Sequence, residues 1–150
     1  MRLPRGVVPE VPGPGQESVW DYPRPPVVVT GTEHVVIELG GVVVAETRAP
    51  LRLLETSHPP TYYLPLGAWR EDALRPAEGS SLCEWKGVAA YLTVVGGDRI
   101  ETAAAWTYPS PAPAFDVLRG HVAVYPGRMT RCTVDGEVAR AQEGGFYGGW

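Results

Sequence analysis

Sixteen prolines and eighteen glycines are spread along the 150 residues of this chain, and they leave few windows long enough for a helix. Proline has no amide proton to give a helix interior, and glycine loses the most backbone freedom when it is fixed in one. Short strands and structured loops are therefore the economical fold. Three glycine-bearing dipeptides fall between apolar runs, as two-residue hairpin turns do: Gly40-Gly41, Gly96-Gly97 and Asp135-Gly136. Residues 51–55 and 62–64 read as further short strands, ended by Pro59-Pro60 and Pro65. Helical spacing is weak, limited to a turn or two at 66–74 and 114–119. The expectation is one mainly β domain of coiled antiparallel sheets and hairpins, with about eight to ten short strands and one or two short helices.

The ends of the chain read differently. Residues 1–16 have linker composition and predict a flexible N-terminal arm ahead of a single domain over 17–150. Within that domain, Trp20 and Tyr22 sit in a proline-stiffened segment, 17–26, that should lie across the sheets as a strap.

A net charge of −4 and a pI near 5.4, with the arginines scattered, argue against nucleic acid as a partner. There is no apolar run of about eighteen residues to span a bilayer and no signal-peptide core in residues 1–16. Only two cysteines are present, Cys83 and Cys132, in no C-x-x-C pair. These features predict a cytoplasmic protein without disulfides and without membrane partners. No metal is expected, because His58, Cys83 and Cys132 lack ligand spacing, and no cofactor is expected either. G-x-S-x-G and G-x-x-x-x-G-K are both missing, which sets aside the serine-hydrolase elbow and the phosphate loop.

Chemistry points to Cys83-Glu84-Trp85-Lys86-Gly87. Lys86 is the only lysine, the other twelve basic residues being arginine, and a partly buried lysine can lose its proton where arginine cannot. If residues 82–95 form one extended strand, Glu84 and Lys86 share a face that continues through Val88, Ala90 and Leu92. The pair is then either a salt bridge at a strand end or a charged pair at the mouth of a pocket. His58, in a loop stiffened by Pro59 and Pro60, is a candidate acid or base, or else a histidine that fixes the loop. His34 and His121 read as exposed and receive no role.

Five tryptophans and seven tyrosines stand against two phenylalanines. Such aromatics suit surfaces that touch both apolar matter and water, as pockets and subunit interfaces do, although a small β protein can also fill a core with them. The reading is a pocket with Lys86, Glu84 and His58 as catalytic candidates and Tyr63, Trp85, Trp106 and Tyr108 as ligand contacts. Its first function is metal-independent lyase, isomerase or hydrolase chemistry on a carbonyl-bearing metabolite. A non-catalytic binding or sensing module and a homo-oligomer interface are the alternatives.

Five motifs in series carry a resemblance: ESVWDYPRPP (17–26), ETSHPPTYY (55–63), CEWKG (83–87), AWTYP (105–109) and GGFYGGW (144–150). Together they resemble the bacterial and fungal family called domain of unknown function 427, from about residue 17 to the end. The resemblance implies a β-rich fold of coiled sheets described as tent-like. It also brings a nucleotidyltransferase-like label, whose chemistry needs carboxylates clustered on two magnesium ions; no D-x-D pattern is present. Relatives of the tent-like fold often hold zinc through paired C-x-x-C knuckles, which this chain lacks. The resemblance supplies no catalytic residue.

Overall fold

The computed structural model describes residues 22–23, 26–55, 59–83, 85–140 and 149–150. The glycine-marked turns divide the chain as their chemistry demands. Gly40 and Gly41, both at positive φ, join β2 (Val35–Leu39) to β3 (Val42–Thr47) in register Leu39 to Val42. Asp135 and Gly136, also both at positive φ, join β10 (Arg131–Val134) to β11 (Glu137–Val138). The third turn lies one residue later than the sequence suggests: Gly96 stays in β7 (Gly87–Gly96) and pairs with Arg99, which opens β8 (Arg99–Thr107).

Eleven strands are formed among the described residues, one more than the upper expectation. The others are β1 (Val27–Thr30), β4 (Leu51–Leu54), β5 (Thr61–Pro65), β6 (Leu74–Cys83) and β9 (His121–Val124). They make two antiparallel sheets that do not close into a barrel. The larger runs β1-β4-β5-β9-β8-β7-β6 and the smaller β11-β10-β2-β3. The weak helical patterns shrink to 3₁₀ turns at Leu66–Ala68 and Pro113–Leu118, because Trp69 bridges to Ala45 in β3 and Leu74 already belongs to a strand. No helix among the described residues is long and apolar enough to cross a membrane.

Strand alternation gives the larger sheet two buried faces. On the face toward the smaller sheet, Tyr62, Leu64, Val94, Val122 and Val124 pack with Val35, Ile37, Leu39 and Val44. On the opposite face, Leu51, Leu53, Tyr63, Ala89, Trp106, Tyr108 and Ala123 form a second cluster, covered in part by Phe115 and Leu118 of the 3₁₀ segment. Tyr62 and Tyr63 are adjacent in sequence and so belong to different cores. Of the strap, Tyr22, Pro23 and Pro26 are described; Tyr22 and Pro26 are buried and Pro23 is exposed. The N-terminal arm, Trp20 and most of GGFYGGW lie outside the described residues.

Candidate functional site

The second cluster carries the candidate site, and it is built differently from the sequence reading. Residues 82–95 are not one strand. Cys83 closes β6 and pairs with Gly87, the first residue of β7, so the chain reverses across 84–86 and Lys86 lies in a hairpin turn. Gly87 makes the reversal possible at φ +109, a conformation that residues with a side chain rarely adopt. The Ala112 amide donates to the Lys86 carbonyl at 2.8 Å, which ties the turn to the loop ahead of the 3₁₀ segment. The expected shared face of Glu84 and Lys86 therefore does not arise from strand pleating. Glu84 itself lies outside the described residues, as does His58.

The floor beneath Lys86 is aromatic. Trp106 stands opposite Tyr91 in the β7–β8 ladder, and Tyr108, two residues on, returns to the same face. Tyr63 reaches that face from β5, and Tyr125, just past β9, follows Ala123. The Trp106 indole N–H donates to the Tyr63 hydroxyl at 3.2 Å, with the rings edge to face at 88°. The Tyr63 and Tyr108 rings lie 6.5 Å apart, tilted at 42°. Trp106 and Tyr125 rings lie 4.7 Å apart. The Lys86 ammonium sits 5.6 Å from the centroid of the Tyr108 ring, within cation–π range.

Burial governs the electrostatics. It lowers the Lys86 pKa, against smaller opposing effects of Cys83 and Glu55. It pushes the phenols of Tyr63 and Tyr108 far above the ordinary tyrosine range and that of Tyr125 up to about 12, so all three stay protonated near neutral pH. A neutral, hydrogen-bonded floor thus underlies a half-buried cation. Such a lysine holds more of its neutral, nucleophilic form at a given pH than a solvated one.

Of the seven residues singled out from sequence, Lys86, Tyr63, Trp106 and Tyr108 meet at this face. Tyr63, Tyr108 and Trp106 are 0%, 4% and 9% exposed, and so form its floor, whereas Trp85 on the turn is 43% exposed. Sequence reasoning missed Glu55 and Cys83 as groups acting on Lys86. The signal for Glu55 was present: it continues the alternation Leu51, Leu53, both in the second cluster. Cys83 becomes legible only once the 84–86 reversal is known. His34 bonds Glu46, and the ring of His121 contacts the Arg119 carbonyl at 3.0 Å; neither belongs to this face. Among the described residues, no three His, Cys, Asp or Glu side chains converge as a metal site would require.

Compared with known families, residues 27–135 match the one described as a domain of unknown function, DUF427. The match runs from β1 to the β10–β11 turn and takes in every strand that carries the site. It is narrower than the span of the five motifs, since ESVWDYPRPP and GGFYGGW fall outside it. No curated protein matches the chain.

Proposed function

This chain belongs to the family Domain of unknown function (DUF427), and because that description assigns no activity we propose one from the site itself. The protein binds a small carbonyl-bearing metabolite at the 84–86 turn and captures it through the Lys86 amine. One observation carries this reading: the chain's single ε-amine is half-buried over the Tyr108 ring with its pKa lowered, while that floor is protonated and neutral. The neutral amine attacks the carbonyl carbon, a C–N bond forms, and the carbonyl oxygen leaves as water to give a Schiff base. Tyr63 and Trp106 position Tyr108. Trp85, exposed beside Lys86, offers a ring face to the apolar part of the ligand. Glu84 and His58 are the remaining candidates for proton transfer. Where no turnover follows capture, the same site serves as a binding or sensing module.

Reductive trapping tests the reading. The protein is incubated with a panel of small aldehydes and ketones and with borohydride, and the products are mapped by intact mass and peptide analysis. The expected result is modification at Lys86 well ahead of the N-terminal amine with at least one class of carbonyl. Reaction no faster than that of free lysine across the panel, with fold and ligand binding intact in Lys86→Arg, would make Lys86 an ordinary charged group.

A further inference from the structure

A second nucleophile stands at the 84–86 turn, and the capture step makes no use of it. Cys83 closes β6 and pairs with Gly87, so the reversal that carries Lys86 begins at its backbone. Strand alternation sends Leu82 to one side, where it is 78% exposed, and Cys83 to the other, where it packs half-buried against the second cluster. That cluster holds Tyr108, whose ring centroid lies 5.6 Å from the Lys86 ammonium. Thiol and amine therefore stand over one aromatic floor at the two ends of one short turn. A single nucleophile needs one electrophilic carbon. Two, so placed, suit a ligand that offers a pair of them in conjugation.

The surroundings narrow the class further. Burial lowers the Lys86 pKa, and the groups that oppose it by charge, Cys83 and then Glu55, are both acidic. A ligand with its own carboxylate or phosphate meets Glu55 there and gains no arginine, and like charges brought together are unfavourable. The floor offers no charge either, since the phenols of Tyr63, Tyr108 and Tyr125 stay protonated. An uncharged body fits it. Trp85, 43% exposed on the turn, adds a ring face that suits a flat one.

We infer that the site takes an uncharged α,β-unsaturated aldehyde, held by Lys86 at the carbonyl carbon and by Cys83 at the β-carbon; the inference rests on the Lys86 capture proposed above. The amine attacks the carbonyl carbon and the oxygen leaves as water, giving a Schiff base still conjugated to the C=C bond. The Cys83 sulfur then adds to the β-carbon, and its proton ends on the α-carbon. A C–N and a C–S bond have formed, and no oxidant or reductant is consumed.

The test treats the full chain with cinnamaldehyde, its saturated analogue 3-phenylpropanal or the charged phenylpyruvate, then with borohydride, then with iodoacetamide. Adducts at Lys86 and free thiol at Cys83 are mapped by mass. Cinnamaldehyde should half-modify Lys86 at a concentration about tenfold below that of either comparator, because the second bond forms within one complex. The modified protein should resist alkylation at Cys83. Cys83→Ser should remove the advantage of cinnamaldehyde and leave 3-phenylpropanal unchanged. Should that variant fail to fold, the three-carbonyl comparison and the thiol count on the unaltered protein still decide. Cys83 left open to alkylation in protein modified at Lys86, or phenylpyruvate trapped as readily as cinnamaldehyde, overturns the inference and leaves the Lys86 capture standing. A Cys83 adduct that forms equally well in Lys86→Met also overturns it, since the thiol then acts alone. Absence of a Lys86 adduct with all three carbonyls overturns it as well, and the wider panel then decides whether the capture survives.

Discussion

The Trp106 indole N–H and the Tyr63 hydroxyl, 43 residues apart in the chain, meet at 3.2 Å inside the second core and give it a polar link that apolar packing alone would not specify. Tyr63→Phe leaves the buried N–H without an acceptor, a loss of about 1–3 kcal/mol. Trp106→Phe removes the donor and some packing. In urea denaturation the double variant should lose less stability than the two single losses added together, because the first change already breaks the bond. Additive losses would show that the contact contributes nothing.

Two turns from different sheets touch at Gly40. A methyl group there would lie 2.0 Å from the Gly96 carbonyl oxygen, in addition to the strain of φ +64. At Gly41, φ is +84 but nothing stands within 4 Å of the added carbon. Gly41→Ala should therefore cost about 1–2 kcal/mol from backbone strain alone, and Gly40→Ala about 1–3 kcal/mol more from overpacking. Chemical denaturation of the two variants should show that order.

Alkaline pH should destabilise the fold. Burial holds Cys132 up to about 12, and it also raises Tyr62, Tyr63, Tyr108 and Tyr125. Unfolded, the thiol releases its proton near pH ~8.5 and the phenols near ~10. Above those values the folded state binds more protons than the unfolded, so stability falls as pH rises. Lys86 has the opposite sign, since its folded pKa is lowered and the unfolded chain is the one that holds the extra proton up to ~10.4. One group opposes five. Urea midpoints should drop between about pH 9 and 11, and Cys132→Ala should flatten the onset near ~8.5.

The two thiols should react differently. Cys132 is buried with its pKa raised, whereas Cys83 is half-buried beside the turn. Alkylation of the native protein at neutral pH should label Cys83 alone, and denaturant should expose both. Equal labelling of the native protein would contradict the packing of β10 on β2.

How far the sequence reaches is visible residue by residue. Gly40-Gly41 and Asp135-Gly136 announce their turns, because positive φ at both central positions selects those residue types. The 84–86 reversal has no such signal: Cys83, Trp85 and Val88 are strand formers, and the glycine that permits the turn comes after it. β6 was illegible for another reason. It is the edge strand of its sheet, mostly exposed, so Leu74 to Cys83 shows little apolar alternation. Of the site, Lys86 stood out as the only lysine and the aromatics as an excess. Which rings meet under Lys86 depends on strand register, and the role of Glu55 depends on β4 lying in the same sheet as the turn.

A single lysine gives a single ε-methylene signal, so its titration can be followed by NMR in the intact protein without assigning anything else. A desolvated Lys86 over Tyr108 should titrate below the ~10.4 of a solvated lysine, and Tyr108→Leu, which removes the cation–π partner, should move the midpoint lower still. A midpoint at or above that of free lysine, unmoved by the substitution, would mean that the ammonium is solvated and paired, and that the turn carries no amine poised to react.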